Sequence, residues 1–264
     1  MSFPLNHDLH VHSMLSLCSR DPEQCAPNVI RYAAENGYSA ICLTDHYWQD
    51  DVPGPSDWYA KQNFAHVSQS LPLPDGGKTR VMFGCETDFC GAQKLGVTKG
   101  GCDKFDFVVI PPNHFHMENF TRDESINTAP QIARLLNERL IDLTKLDLPW
   151  HKIGIAHLTC SLTFSKGDYT KVFPLLDEGE LRRAFSFFAE HGTGIELNDS
   201  CFRTEWTVSE EGLRVYAIAK EEGCRFYRAS DAHHPKELPI HDGVKLAAER
   251  LSLTEDDLYT VPEE

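Results

Sequence analysis

Short apolar segments alternate with amphipathic segments along almost the whole chain. The apolar segments predict seven strands, near residues 6–12, 39–45, 80–87, 106–112, 152–157, 193–197 and 225–230. The amphipathic segments predict helices over about 27–36, 128–142, 178–191, 209–222 and 242–251. Pro27 suits a first helical turn, and Gly37 suits a helix end. This alternation is typical of parallel strands that are joined by helical crossovers.

Most of the predicted strands end in a side chain that can bind a metal ion. The carboxyl ends of the strands of a parallel barrel converge on one face, whereas an open doubly wound sheet gathers ligands at one switch point. Because nearly every strand contributes here, we expect an α/β fold, a distorted (β/α)7 barrel, with a metal site at the C-terminal ends of its strands. The expected ligands are His10, His12, His46, Glu86, His114, His157, Asp231 and His233.

Two of these segments carry paired ligands. His10 and His12 stand two residues apart on a strand and therefore point to the same face, where one metal can take both imidazoles. Asp231 and His233 repeat the spacing near the other end of the chain. Burying so many imidazoles and carboxylates without partners would cost several kcal/mol each. Bound Zn, Mn or Fe would satisfy them.

Two positions among the predicted ligands leave alternatives open. Asp45 precedes His46, and it is either an orienting partner of the site or a helix cap. His116 competes with His114 for the ligand position after the fourth strand, and we prefer His114 because it lies nearer the strand end.

Length and charge limit the classes of function. The 264 residues are compatible with one barrel domain over 1–264. A net charge of -15 argues against a long nucleic acid as the ligand, because such proteins normally present a basic face. A small anionic substrate stays compatible, because bound cations would reverse the local field. Oligomeric state cannot be predicted from these features.

The cellular setting is predicted from cysteines and apolar runs. The nine cysteines form no CxxC pair, which favours reduced thiols and a cytoplasmic protein. We expect no secretory signal and no membrane span.

Residues 47–79 form a long connection that is either a lid over the site or a surface excursion packed by its own aromatic residues. The acidic tail, 252–264, is expected to be frayed.

The motifs at the strand ends resemble those of one known family, in the order in which that family has them. They are DLHVHS at 8–13, LTDH at 43–46, GCE at 84–86, the His after DFVVIPPN, IAH at 155–157 and SDAHH at 230–234. The chain thereby resembles the PHP family, named for polymerase and histidinol phosphatase, in its stand-alone form. The resemblance implies a distorted seven-stranded barrel, two to three divalent metal ions and phosphoester hydrolysis.

The resemblance also implies how the ligands are shared. His10, His12, Glu86 and Asp231 would hold the first metal, and Glu86, His114 and His157 the third. His46 and His233 would hold the second metal together with one ligand from the loop that follows the HxH pair. The family often has a His or Asp six residues after the second His, but this chain has Cys18 there. The loop ligand is then Cys18 or, as an alternative, Asp21.

The segment GIELNDSCFR at 194–203 resembles the part of the family that contacts phosphate. Arg203 matches its arginine, so we expect it to bind the phosphate, although a surface ion pair with Glu205 is the alternative. Asn198 is expected to hold substrate or the nucleophilic water. A second arginine found in some histidinol phosphatases has no counterpart in IAHLTCSLTF, which argues against histidinol phosphate itself.

The function expected from this resemblance is histidinol-phosphatase-like cleavage of a small phosphomonoester by a hydroxide that bridges two metals. Arg203 would stabilise the phosphoryl charge, and Asp231 or His233 would pass a proton to the leaving group. An amidohydrolase-type hydrolase is the first alternative, although that class often has a Lys on strand four, which DFVVIPPNH lacks. The second alternative is a metal-binding module without catalysis. An exonuclease role is disfavoured by the acidic charge.

Overall fold

The computed structural model describes residues 2–263. Its strands in this part of the chain are β1 (His7–Val11), β2 (Ala40–Leu43), β3 (Arg80–Glu86), β4 (Phe89–Gly91), β5 (Lys94–Leu95), β6 (Phe107–Ile110), β7 (Ile153–Ile155), β8 (Gly194–Asn198) and β9 (Arg225–Ala229). Seven of them form one parallel sheet in the order β1-β2-β3-β6-β7-β8-β9, and β4 and β5 form an antiparallel hairpin.

The helices lie in the crossovers, as the alternating pattern predicts. They are α1 (Ala26–Glu35), α2 (Phe64–Val67), α3 (Ala129–Leu143), α4 (Glu178–Glu190), α5 (Glu210–Glu221) and α6 (Asp242–Arg250). Side-chain caps explain where several begin. The carboxylate of Asp177 accepts from the backbone N–H of Glu180, and the hydroxyl of Ser209 accepts from the N–H of Gly212. Thr128 forms a capping box with Gln131 at the start of α3.

The first and last strands meet and nearly close the sheet into a barrel. The backbone N–H of Asp231 donates to the carbonyl of His10 at 2.8 Å, and the N–H of His12 donates to the carbonyl of Ala232 at 3.1 Å. The N–H of Arg228 donates to the His7 ring at 2.7 Å. The predicted fold class, an α/β distorted seven-stranded barrel, is therefore confirmed.

A buried ion network fastens this seam between β1 and β9. Arg228 is fully buried, and its guanidinium donates to the carboxylates of Asp8 and Asp199. Asp8 also accepts from the backbone N–H of Ser230, next to the metal-site segment, at 3.0 Å. Removing one member would leave the others charged and buried, which is strongly destabilising. Asp8 of the DLHVHS motif thus stabilises the contact between β1 and β9.

The inside of the barrel is apolar toward the N-terminal ends of its strands. Leu9, Met82, Phe107 and Tyr227 pack there against the C-terminal residues Tyr259 and Val261. The prediction of a frayed tail over 252–264 is therefore wrong for the described residues up to Val261. The apolar side chains in that acidic segment cover the open end of the barrel, which outweighs the repulsion of its exposed carboxylates.

Further expectations concern the termini, the thiols and membranes. Met1 and Glu264, the ends of the predicted domain over 1–264, lie outside the described residues, and the single-domain assignment stays a prediction. All nine cysteines are free, as expected for reduced thiols. Within residues 2–263, no helix has the length and apolar character needed to cross a bilayer.

Candidate metal centre

A small cavity lies at the C-terminal ends of the strands, on the face where a parallel barrel gathers its functional groups. Its volume is about 170 Å³. The residues that line it are Cys18, His46, Trp58, Tyr59, Glu86, Asp88, His114, His116, Met117, His157, Leu162, Asp231 and His233. Side chains from β3 and from the loops after β1, β2, β6, β7 and β9 thus meet in one place, although some are more than two hundred positions apart in the chain.

Glu86, the last residue of β3, stands at the centre of the cluster and is buried. Its Oε2 lies 2.8 Å from Nδ1 of His46 and 3.4 Å from Nε2 of His12. Its Oε1 lies 3.2 Å from Nε2 of His157 and 3.8 Å from Nε2 of His114. The Glu86 carboxylate therefore faces four histidines, which follow four different strands. A carboxylate in such a position can be a ligand shared between two cations.

His10 and His12 point into the same pocket from β1 and the residue after it. Their Nε2 atoms lie 3.0 Å apart, and each is within 3.6 Å of the Asp231 carboxylate. The ligand atoms of His10, His12 and Asp231 form one group that can hold a metal ion, and those of Glu86, His114 and His157 form another.

Two further groups consist of His10, His157 and Glu196, and of His12, His46 and His233; the second of these lies nearest to Cys18 in the cavity lining. The rings of His12 and His233 stack with their centroids 4.1 Å apart. Cys18 lines the cavity together with His46 and His233, at the edge of this group. Asp21, the alternative loop ligand, is instead paired with Nε2 of His234 at 2.8 Å. Cys18 is thus the residue of this loop that faces the group.

Of the two histidines after β6, His114 is the one that joins the cluster. Its Nε2 faces Glu86, and its Nδ1 donates to Asp88 at 2.9 Å. His116 is exposed at the rim of the cavity and belongs to none of the groups of metal-ligand atoms among residues 2–263. His114 as the metal ligand of this pair stays a prediction.

Neighbouring polar groups fix which nitrogen of each histidine faces the cluster. Nδ1 of His10 donates to the buried carboxylate of Glu196 at 2.6 Å. Nδ1 of His12 donates a hydrogen bond to the Ser16 hydroxyl at 2.8 Å. That hydroxyl in turn donates a hydrogen bond to the Asp45 carboxylate at 2.6 Å. Such partners orient metal-binding imidazoles and set their tautomers. Asp45 is therefore an orienting partner and caps no helix.

The backbone is strained at two of the predicted ligands. His157 has a φ of 59° and Asp231 a φ of 54°, which is the left-handed region that non-glycine residues seldom adopt. Such conformations persist where the surrounding structure holds them, and they cluster at functional sites. The N–H of His157 is held by the Glu196 carboxylate at 2.8 Å, and the N–H of Asp231 by the seam.

The electrostatic field of the cluster keeps its acids ionised. Burial alone would raise the pKa of Glu86, but the imidazoles of His46 and His10 outweigh it and lower the pKa well below its ordinary value. Burial would also raise the pKa of the Cys18 thiol, and hydrogen bonds from His233 and His46 instead lower it to about 6. The cavity therefore offers anionic donors to a cation near neutral pH.

Two predicted substrate contacts look different in the structure. Asn198 is buried, with its amide donating to Glu196 at 3.2 Å and its oxygen accepting from the N–H and hydroxyl of Ser200. It does not line the cavity, and its amide supports Glu196, so its contact with substrate stays a prediction. Arg203 is exposed on the loop after β8, outside the cavity lining, and makes no ion pair with Glu205 among the described residues. Its phosphate contact stays a prediction.

The long connection over 47–79 forms one wall of the cavity. Trp58 packs edge-on against His46, with ring centroids 4.8 Å apart, and the hydroxyl of Tyr59 donates to Asp88 at 2.7 Å. Gln62 accepts from the backbone N–H of Leu17, which ties the connection to the loop that carries Cys18. The connection thus covers the site and is also packed by its own aromatic residues.

Sequence reasoning missed the residues that orient the ligands. Glu196 and Asp88 are fully buried carboxylates that hold His10 and His114. One signal for Glu196 exists in the sequence, because it is a charged residue in the middle of an apolar strand, GIELN. Asp88 follows β3 without such a signal, since its partner lies 26 positions away.

Comparison with known proteins agrees with this geometry. The model of the PHP domain family matches residues 8–200, well over half of the chain. The chain belongs to the PHP domain family. The matched segment begins at Asp8 in β1 and extends past the end of β8. It ends before Asp231 and His233, which the seam brings back to β1. As a member of this family with a metal-ligand cluster, the protein is a metal-dependent phosphoesterase.

One solved structure shows the same fold at low sequence identity. The chain is similar to histidinol phosphate phosphatase from Lactococcus lactis subsp. lactis Il1403, solved with zinc, L-histidinol and phosphate, with a TM-score of 0.60, 14% identity and 94% of each chain covered. A second likeness is to the structures of the metal-dependent tyrosine phosphatases YwqE from Bacillus subtilis and CpsB from Streptococcus pneumoniae, with a TM-score of 0.40, 14% identity, and 93% and 86% of the two chains covered. No curated protein matches the chain in sequence.

Proposed function

We propose that the protein hydrolyses the phosphomonoester of a small molecule in the cavity at the C-terminal face of the barrel. The cavity is small, and Trp58, Met117 and Leu162 stand among its lining residues. Such a space suits a phosphoryl group with a short alcohol and excludes a duplex. The Lactococcus protein, whose fold this chain shares, is named as a phosphatase of a small phosphomonoester, which supports the same substrate class here.

One observation carries the metal dependence. Nδ1 of His10 and Nδ1 of His12 both act as donors, because Glu196 can only accept and the Ser16 hydroxyl already gives its proton to Asp45. Both Nε2 atoms therefore face the cluster, 3.0 Å apart and within 3.6 Å of the Glu86 and Asp231 carboxylates. In the metal-free protein a proton can lie between the two nitrogens. A metal ion would take its place, because two imidazoles and two carboxylates that converge on one point are a typical ligand set. The donor set therefore fits a metal ion.

The division of ligands that we propose follows the groups of donor atoms. His10, His12, Glu86 and Asp231 would hold the first ion, His46 and His233 with Cys18 the second, and Glu86, His114 and His157 the third. Imidazole and carboxylate ligands suit Zn, Mn or Fe. When bound, two or three such ions would supply Lewis acidity, activation of water and neutralisation of phosphoryl charge.

The residues of the chain would contribute binding and proton movement around these ions. His233 is only partly buried, with 29% of its side chain exposed, so it can exchange a proton with solvent next to Asp231. Arg203 would reach the phosphoryl oxygens from the loop after β8 with its planar guanidinium. Trp58 and Tyr59 would limit the entry of water from the side of the 47–79 wall.

A panel of small phosphomonoesters tests this proposal. The protein would be stripped of metal, reloaded with Zn, Mn or Fe, and assayed for released phosphate beside a Glu86→Ala variant. We expect cleavage that depends on added metal and is lost in the variant. Phosphate release by metal-free protein, or equal turnover by Glu86→Ala, would contradict the proposal. No cleavage of any phosphomonoester alongside cleavage of an amide or a lactone would favour the amidohydrolase alternative.

A further inference from the structure

We propose that Cys18 completes the second metal position as a thiolate ligand, so that this position selects zinc-like cations over Mn²⁺ while the other two positions accept both. The inference rests on the proposed metal-dependent function and names the chemistry of one position in it. Thiolate donors favour Zn²⁺ and related thiophilic ions, whereas carboxylate donors suit Mn²⁺ and Mg²⁺. The cluster would then consist of unequal sites, one with nitrogen and sulfur donors and two with nitrogen and oxygen donors.

The first observation is the donor set around the thiol. The ligand atoms of His12, His46 and His233 lie within 4.8 Å of one another and form a group of imidazoles. The neighbouring Glu86 carboxylate, 2.8 Å from Nδ1 of His46, is shared with the other positions. Cys18 lines the same cavity as two of these imidazoles, those of His46 and His233. Sulfur and imidazole nitrogen in one group match the tetrahedral sites that zinc occupies in proteins.

The second observation is that the loop carrying Cys18 is held in place from both sides. The backbone N–H of Leu17 donates to Gln62 at 3.0 Å, and the hydroxyl of Ser19 donates to the carbonyl of His233 at 2.8 Å. On the other flank, the N–H of Ser16 donates to Asp45 at 3.1 Å. These bonds position the thiol beside the imidazoles before any metal binds, which reduces the ordering that binding requires.

The third observation concerns the carboxylates of the loop. Asp21 is paired with His234, the Glu23 carboxylate accepts from the side-chain amide of Asn28 at 2.9 Å, and neither lines the cavity. The thiol is therefore the donor that this loop offers to the second position.

Cobalt provides a direct test, because a thiolate bound to Co²⁺ gives a charge-transfer absorption that imidazole and carboxylate ligands do not give. The metal-free protein would be titrated with Co²⁺ beside Cys18→Ser and a matched control, Cys25→Ser, whose thiol lies outside the cluster at the start of α1. We expect the band in the wild-type protein and in the control and its loss in Cys18→Ser. A band of equal intensity in Cys18→Ser would overturn the inference.

Chemical labelling gives a second, independent measurement. Cys18 is the exposed one of the nine cysteines. Iodoacetamide should therefore modify it first in metal-free protein, and Zn²⁺ should protect it, as read by peptide mass spectrometry. Protection by Zn²⁺ at a concentration at which Mn²⁺ does not protect supports the selectivity. Equal labelling with and without Zn²⁺ would contradict it.

Hydrolysis of phosphomonoesters is scored separately, so that the two proposals can fail independently. A protein that shows the cobalt–thiolate band but cleaves no phosphoester would support the thiolate position and contradict the proposed function. A protein that cleaves phosphomonoesters without the cobalt–thiolate band would support the proposed function and contradict the thiolate position. Circular dichroism of Cys18→Ser checks its folding, which an exposed side chain should leave intact.

Discussion

Replacing Glu196 by Gln should weaken metal binding without opening the barrel. The Glu196 carboxylate accepts from Nδ1 of His10 at 2.6 Å and from the backbone N–H of His157 at 2.8 Å, and the amide of Asn198 donates to it at 3.2 Å. A glutamine has one oxygen for these three donors, and its own NH2 group must face at least one of them. The variant keeps the size of the side chain and loses both the charge and part of the acceptor capacity.

The expected size of the effect follows from this geometry. Loss of a partner that orients a metal-binding histidine typically reduces metal affinity by about 10–100-fold, or about 1.4–2.8 kcal/mol. Glu196 supports two ligands, because it holds the His10 ring and the strained backbone of His157. We therefore expect a decrease toward the upper end of this range for the ions that these two histidines bind.

The assay is competition of the protein with a fluorescent zinc chelator, and the matched control is Glu190→Gln at the end of α4. Glu190 is exposed and belongs to none of the groups of metal-ligand atoms in the described chain, so the control should bind zinc like the wild type. Thermal unfolding of the metal-free variants shows whether the barrel itself is intact. Zinc affinity within about twofold of the wild type in a folded Glu196→Gln protein would refute the reasoning.

Four further predictions concern catalysis and stability. Glu86→Ala should abolish phosphoester cleavage and release bound metal, as measured by elemental analysis. Arg203→Ala should leave kcat nearly unchanged and raise KM by about tenfold through loss of charge-assisted hydrogen bonds. Arg228→Met should lower the free energy of unfolding by about 3–5 kcal/mol, because two buried carboxylates lose their partner. Burial and the charge of Arg228 lower the pKa of His7 to about 3, so stability should fall as pH drops from about 6.5 toward 3, less steeply in His7→Gln.

The elements of the barrel could be predicted closely because their signals are local. Strand β8 was expected over 193–197 and spans Gly194–Asn198, and α4 was expected over 178–191 and spans Glu178–Glu190. Apolar runs, helical periodicity and capping residues all lie within the element that they define. The β4–β5 hairpin was not predicted, because its strands have three and two residues and its turn, Ala92–Gln93, lacks the usual glycine.

The site could be predicted only where ligands end strands. Glu86 and His157 stand after apolar runs, and the barrel topology then brings them within 3.2 Å. Asp88 and Glu196 could not be assigned, because their tasks depend on which side chain they meet across the barrel. The expected contact of Asn198 with substrate comes from the resemblance of GIELNDSCFR to the part of the family that contacts phosphate. A motif does not reveal that Ser200 and Glu196 already hydrogen-bond to the Asn198 amide.

The seam between β1 and β9 connects stability and chemistry in this fold. Asp8 pairs with Arg228 two residues before His10, and Ser230, which donates to Asp8, stands next to Asp231. The hydrogen bonds that close the barrel thus belong to the same short segments that carry four of the proposed ligands. Metal ions bound across this seam would stabilise the closed barrel, because ions that bind the folded state alone shift the folding equilibrium toward it. Closing the barrel and binding metal ions are for this reason thermodynamically linked.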